Sequence, residues 1–298
     1  MKYIIIFMGI DLFSNIILEG IIEAGYEVAL VVTKCKDDTM PMVIKTAIKY
    51  GIPYIRPQTV KTEIPKIIEM KPDLIITASY GEMIPKSLLE QNIINIHGSL
   101  LPKYRGASPV QSALLNGDKS SGVTIQRMAF KMDTGPIIAK KKVMIDDVDN
   151  YSRLLTKIAN AGLNLLIKRM KSLLSGNYKT KPQNELKATY TQKISAHDEL
   201  VSFKNTKENI INKIRALNYN PGAYILINNI KIKVYEVQIS DIMYKQSNLI
   251  VAIKDELIIS CINGSVIIKR LQLPGKKVLD IKDFLNGQRI LKIGMEVF

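Results

Sequence analysis

The sequence predicts an α/β protein in which a Rossmann-like, doubly wound parallel sheet is followed by a small OB-like β-barrel. Two patterns carry that expectation. In the first half, short apolar runs alternate with amphipathic stretches, as strands and helices do around a parallel sheet. In the last third, short strand patterns follow one another with turn residues between them. The length of 298 residues is about twice that of a common domain, which leaves room for two cores.

Tyr3 to Phe7, Glu27 to Val32, Leu74 to Thr77 and Ile93 to Ile96 read as buried strands. Between them, Ser14 or Asn15 caps a helix ending near Gly25, Met42 to Tyr50 forms a helix that stops at Gly51, and Thr62 to Met70 forms one that stops before Lys71-Pro72. In such a sheet the ligand sits beyond the carboxyl ends of the strands. Only Gly9 follows the first strand, with no G-x-G-x-x-G and no P-loop lysine, so a dinucleotide or nucleoside triphosphate has no fingerprint here. Asn150 to Leu174 reads as one long amphipathic helix and the polar stretch Asn177 to Thr189 as a connector. After a helix at Thr206 to Leu217, strands are expected at Ala223 to Ile227, Ile230 to Val237, Leu249 to Ile253, Glu256 to Ile262 and Ser265 to Leu271, with Asn263-Gly264 as a type I′ hairpin signal. The expected boundaries are a first domain over 1–187, a linker over 188–203 and a second domain over 204–298.

With 47% hydrophobic and 23% charged residues, the chain is not disordered, collagenous or a coiled coil. Its start, MKYIIIFMGI, has the charge and apolar run of a signal peptide, but Asp11 ends the run early and no small-residue cleavage site follows, so a buried strand explains it better. No stretch reaches the roughly 18 apolar residues of a membrane span. Cys35 and Cys261 form neither a disulfide framework nor a zinc ligand set, which makes the cytoplasm the expected compartment. The net charge of +15 favours a polyanionic partner such as RNA, DNA, a membrane surface or a phosphorylated substrate, although biased base composition also produces such an excess. Residues 200–298 hold 15 basic and 8 acidic side chains, so the last third is the more basic per residue. A basic barrel there suits an OB-like nucleic-acid surface, and a purely structural capping domain is the alternative.

The densest cluster of unusual residues is Asn95-Ile-His97-Gly-Ser99-Leu-Leu-Pro102-Lys-Tyr-Arg105-Gly-Ala. Asn95 and His97 stand at i and i+2 at the end of a predicted strand, so both side chains point to one side of the sheet and place an amide donor beside an imidazole. A histidine of this kind alone is more often structural than catalytic. The other histidine, His197, lies in a polar segment and reads as surface. A carboxylate that could orient the imidazole is Asp133, in a turn after the alternating strand Gly122 to Met128, although alone it reads as a turn-forming Asx residue.

Together these residues resemble the folate-dependent formyltransferases, in which an Asn-x-His pair, a Ser-Leu-Leu-Pro turn and a later Asp-Thr-Gly define the active site. The run N-I-H-G-S-L-L-P-K-Y-R-G-A-S-P-V-Q, then G-D at 117–118, G-V-T-I at 122–125 and M-D-T-G at 132–135, keeps order and spacing over some forty residues. In the second half, Arg215-Ala-Leu-Asn218, Pro221-Gly-Ala-Tyr224, Leu271-Gln-Leu-Pro-Gly-Lys-Lys277 and Asp283-Phe-Leu-Asn-Gly287 resemble the carboxyl-terminal domain of the methionyl-tRNA formyltransferases. Three segments depart from the family pattern. Gly9-Ile-Asp-Leu-Phe13 replaces Gly-Thr-Pro-x-Phe, the long basic loop after the second strand is cut down to Lys34 through Pro41, and Ser202-Phe203 replaces an acidic-Trp pair.

The resemblance implies 10-formyltetrahydrofolate as formyl donor and the α-amine of initiator Met-tRNA as acceptor, with no metal, no membrane association and a monomeric chain. It implies that Asn95 and His97 stabilise a tetrahedral oxyanion and that Asp133 holds the useful tautomer of His97. It also implies that Ser99, Leu100, Leu101 and Pro102, with Tyr80, Gly81, Met83 and Ile84, form the folate-binding walls; ordinary core packing is the other reading of residues 80–84. Lys204, Lys207, Lys231, Lys233, Lys276 and Lys277 are the expected phosphate contacts, and the shortened loop implies weaker discrimination between initiator and elongator tRNA. A nucleotide-sugar N-formyltransferase, and a catalytically idle RNA- or folate-binding relative, are the alternatives.

Overall fold

A computed structural model of the chain describes residues 3–34, 40–218, 220–287 and 291–298. Cys35 and the middle of the shortened loop at 34–41 lie outside the described residues. The chain packs into two compact units, one of residues 1–109, 120–145 and 154–192, the other of residues 110–119, 146–153 and 193–298.

The elements of the first part, in chain order, are β1 (Ile5–Gly9), α1 (Leu12–Glu23), β2 (Val28–Val32), α2 (Met42–Lys49), β3 (Tyr54–Ile55), α3 (Ile64–Glu69), β4 (Leu74–Ala78), α4 (Lys86–Leu89), β5 (Ile93–His97), β6 (Arg105–Gly106), α5 (Pro109–Leu115), β7 (Ser120–Arg127), β8 (Ile137–Met144), α6 (Tyr151–Leu174) and β9 (Tyr190–Thr191). The main sheet has the order β3-β2-β1-β4-β5-β7-β8. β1 and β4 are buried along their whole length, as continuous apolar runs are when both faces of a parallel sheet are covered. The pairings from β3 to β5 are parallel, as expected of a doubly wound sheet, and β7, for which the sequence set no pairing, adds antiparallel pairings with β5 and β8 that make the sheet mixed. The physical reason is the short loop between β7 and β8, which can close a hairpin but cannot make a parallel crossover.

Helix α1 begins one turn before its expected caps. Asp11 is the N-cap, its Oδ1 accepting from the Ser14 N–H at 3.1 Å, and the Ser14 hydroxyl returns a bond to the Asp11 carbonyl at 2.8 Å. Ser14 and Asn15 are buried on the inner face, where Asn15 Oδ1 accepts from Thr46 on α2. The long helix α6 buries Leu154, Leu155, Ile158, Ala159, Gly162, Leu166, Met170 and Leu173, a stripe at helical spacing. Each such Leu or Ile contributes about 1.5–3 kcal/mol on burial.

The stretch after α6, expected to be a connector, is bonded into the first unit. Ile137 and Lys181 exchange two backbone bonds at 2.8 Å, and β9 pairs in parallel with β6. Within it Tyr178, Gln183 and Glu185 bond inward, to Asn92, to the carbonyls of Asp133 and Gly135, and to Arg105, which composition alone does not separate from solvation.

The second unit holds α7 (Lys207–Leu217), β10 (Ala223–Ile227), β11 (Ile230–Ser240), β12 (Ile250–Ala252), β13 (Leu257–Cys261), β14 (Gly264–Gln272), β15 (Leu279–Asp280) and α8 (Ile281–Gly287). Val201 and Phe203, placed by the sequence in a linker, are fully buried in its core with Ile214, Ile225, Ile259 and Ile268. The antiparallel order is β10-β11-β14-β13-β12. Residues 294–298 then bond to both ends of that order: Ile250 N–H donates to the Met295 carbonyl at 2.9 Å, and Phe298 N–H to that of Leu226 at 2.9 Å. This seam closes the sheet into the expected barrel and leaves neither end strand as an open edge. The hairpin signal at Asn263-Gly264 is corrected in detail. Gly264 pairs with Cys261, which makes Ile262 and Asn263 the turn, and the left-handed pair is Asn228 and Asn229 (φ 50° and 61°) between β10 and β11.

Candidate active site

The site lies at the carboxyl end of β5. Its last residue, His97, is buried, and its Nε2 bonds the Tyr104 carbonyl at 2.8 Å. A carbonyl only accepts, so Nε2 carries the hydrogen and Nδ1 is the nitrogen that faces Asp133 Oδ1, at 3.5 Å. Asn95, two residues earlier, reaches the same carboxylate, with Nδ2 donating to Oδ1 at 3.3 Å. Its second amide hydrogen has no partner among the described residues.

Asp133 comes from the β7–β8 loop with φ at +53°, a conformation that Asp tolerates better than most residues. Gly135 explains the Asp-Thr-Gly run: a Cβ there would stand 1.8 Å from the Arg127 carbonyl oxygen, so only glycine lets the loop fold back on β7. The Asp133 side chain is 10% exposed, and each oxygen finds donors. Besides Asn95, Gln126 Nε2 donates to Oδ1 at 3.0 Å and the Gly106 backbone N–H donates to Oδ2 at 2.9 Å. Asn95, His97 and Asp133 are thus brought together. The imidazole has no outward N–H to offer, and of the expected pair of oxyanion donors Asn95 alone holds an uncommitted one.

The eight residues expected to wall the folate divide. Ser99 is fully buried, its hydroxyl donating to the Lys103 carbonyl at 2.5 Å and its carbonyl accepting from Thr124 at 2.6 Å. Leu101 is fully buried too, and its N–H bonds Thr124 Oγ1 at 3.0 Å. Leu100 packs over Gly122, and Pro102 follows a cis peptide bond. This turn is therefore built around internal bonds. Ile84 and Tyr80 belong to the core, while Gly81 and Met83 are exposed. Tyr80 differs from its neighbours in one respect: its hydroxyl is buried with no hydrogen-bond partner among the described residues, and burial pushes its pKa up, with a smaller contribution from Glu82.

Residues 2–170 match the formyl transferase family, and residues 193–289 match the formyl transferase C-terminal domain. The chain belongs to the formyl transferase family. Among relatives of this formyl transferase, the protein named methionyl-tRNA formyltransferase of Lactobacillus acidophilus is 41% identical over 298 residues, covering 95% of each chain. The one of that name from Bacillus subtilis is 36% identical, covering 96% of this chain and 95% of its own. A solved structure, the sugar 3N-formyl transferase WlaRD with dTDP and 5-N-formyl-THF, superposes with a TM-score of 0.70 at 22% identity, covering 93% of this chain and all of its own. HypX from Aquifex aeolicus, solved in complex with tetrahydrofolic acid, superposes with a TM-score of 0.71 at 15% identity, covering 99% of this chain and 51% of its own.

Sequence reasoning missed Gln126 and the Tyr104 carbonyl in this formyl transferase. Gln126 is 1% exposed, but it had no signal in the sequence, because β7 also carries Ser120, Ser121, Thr124 and Arg127. The Tyr104 carbonyl had none either, because backbone groups carry no mark in a sequence.

Proposed function

We propose that the protein transfers the formyl group of 10-formyltetrahydrofolate to the α-amine of methionyl-tRNA, formylating the initiator for translation in the cytoplasm. The observation that carries this reading is the match of both halves, over 95% of the chain, to relatives that bear that activity in their names. A sugar acceptor is less well supported, since the sugar enzyme shares the fold at 22% identity. We assign the chemistry to the first unit and tRNA binding to the second, in a monomeric protein.

A folate beyond the carboxyl ends of β1 and β4 would meet Gly81 and Met83 as an exposed rim, with the Tyr80 hydroxyl buried behind them. Bound there, 10-formyltetrahydrofolate supplies the formyl group. Asn95 directs its free N–H at the formyl oxygen, where negative charge develops, an effect of on the order of 10²- to 10³-fold in rate. His97, at the Nδ1 that faces Asp133, would receive through a water the proton that the attacking amine gives up and return it to the folate nitrogen as the bond from that nitrogen to the formyl carbon breaks, while the Tyr104 carbonyl holds Nε2. Asp133, with donors on both oxygens, keeps the ring in place.

Incubation with 10-formyltetrahydrofolate and, separately, Met-tRNA, an amino-sugar nucleotide or water tests the reading. Formyl-Met-tRNA is the expected product. Preferential formylation of the sugar, or release of formate alone, refutes it.

A further inference from the structure

Among the described residues Arg105 is the largest side chain with no exposed surface, and all its donors are engaged. Nη1 and Nη2 grip the two oxygens of Glu185 at 2.8 and 2.7 Å, Nη1 also bonds Tyr190 Oη at 3.0 Å, and Nε and Nη2 both donate to Gln183 Oε1, at 3.1 and 2.9 Å. Glu185 and Gln183 come from the stretch after α6.

A guanidinium can only donate, so the end of Gln183 that faces Arg105 must be the oxygen. Its NH₂ therefore faces the other way, to the carbonyls of Asp133 at 2.8 Å and Gly135 at 2.7 Å and to Gln126 Oε1 at 3.3 Å. The two hydrogens serve the nearer carbonyls first, and the longer, shared contact to Gln126 Oε1 favours the matching sense of the second amide. With its oxygen toward Gln183, Gln126 presents its NH₂ to Asp133 Oδ1 at 3.0 Å. A carboxamide is nearly symmetric in shape, and without an anchor either amide can turn over at little steric cost. Turned over, Gln126 would set an oxygen against the carboxylate.

We propose that Arg105, Gln183 and Gln126 are positioning residues that act in series, the donor-only guanidinium fixing the sense of one amide and favouring that of the next so that Asp133 receives a hydrogen. The inference rests on the proposed function for its catalytic meaning. It makes the stretch after α6 part of the machinery that holds the catalytic carboxylate.

Two near-isosteric variants test it in the full-length protein. Gln183→Glu keeps acceptors for Arg105 but removes both donors, and Gln126→Met keeps volume but removes the donor to Asp133. Each should lower kcat roughly tenfold or more, the effect of one hydrogen bond to a charged group, with KM for the folate and for Met-tRNA within about threefold of the parent. Arg105→Lys, which retains the charge and loses the fork, should resemble Gln183→Glu. The second readout is hydrogen exchange of the Gly106 amide, which donates to Asp133 Oδ2 and should exchange faster in both glutamine variants. Turnover within twofold of the parent in both variants, or a loss confined to KM, overturns the inference. Should the unsubstituted protein fail to formylate Met-tRNA, the proposed function fails on its own, and the exchange measurement still decides: an unchanged Gly106 rate overturns the positioning role and a faster one supports it.

Discussion

The carbonyl oxygen of Thr191 lies 2.2 Å from where a Cβ on Gly106 would stand, so β6 and β9 are in contact only because residue 106 has no side chain. Gly106 also has φ at +113°, which L residues rarely adopt, and its N–H serves Asp133. Gly106→Ala should therefore destabilise the protein by roughly 1–3 kcal/mol and lower kcat as well, because relieving the clash moves the donor off the carboxylate. Thermal melting and steady-state turnover check it; full activity in a variant with an unchanged melting temperature would remove the link between this strand pair and the site.

His97→Ala or Asp133→Asn should lower kcat by roughly 10²-fold or more in a folded protein, the usual contribution of a positioned acid or base. Asp133→Asn is the finer test, since Gln126, Asn95 and Gly106 all donate to this side chain and an amide nitrogen cannot accept from them. Circular dichroism with single-turnover rates separates misfolding from lost chemistry. Turnover equal to the parent in either folded variant contradicts the roles assigned here.

The parallel strands were legible because burial on both faces leaves long apolar runs, and Asn95 and His97 because their spacing places them on one side of the sheet, whereas Asp133, which alone read as a turn residue, joined them only through the family resemblance. Other features were not. The antiparallel pairing of β7 depends on which strand it meets, which periodicity does not encode. The role of residues 183–190 was hidden because Gln183, Glu185 and Tyr190 are polar, and a polar residue bonded to a buried arginine looks in sequence like one bonded to water. Ser99 and Leu101 were placed against the ligand by resemblance, whereas hydrogen bonds to Lys103 and Thr124 turn them inward.

Tyr80 carries in the core a hydroxyl that is unsatisfied among the described residues, and Tyr80→Phe should raise the stability of the protein by about 1 kcal/mol. The pH dependence has a definite sign. Burial raises the folded pKa above the ordinary 10.0, so the unfolded chain loses the phenolic proton first, and stability that is complete below pH 10 declines as pH rises above it. The phenylalanine variant should lose that part of the decline. Urea titrations at pH 8 and pH 10.5 measure it, and identical alkaline losses in the two proteins would exclude Tyr80 as the source.

Of the six lysines expected at phosphates, Lys207 is bonded to Asp241 at 2.5 Å, Lys231 to Glu199 at 3.2 Å and Lys233 to the Pro221 carbonyl at 3.1 Å. Lys204, Lys276 and Lys277 are exposed. Replacing Lys276 and Lys277 by alanine should weaken tRNA binding and flatten its log-log salt dependence by about two, whereas Lys207→Ala should mainly cost stability. Affinity measured between low and physiological salt distinguishes them. An unaltered slope in the double variant would place the RNA elsewhere.

The bonds from Arg105 to Gln183 and Glu185 bear on how enzymes of this kind exchange acceptors. A catalytic half severed after its long helix would leave Arg105 with buried donors and Asp133 without its backing, so recombination between relatives cannot use the apparent join at residues 177–189. The crossover that keeps these bonds whole lies after Gln192, where the carboxyl-terminal family match begins. A grafted acceptor-binding domain must arrive with the donor's own 177–192 left behind on the catalytic side, and chimeras cut earlier should fold poorly whichever acceptor they were built to take.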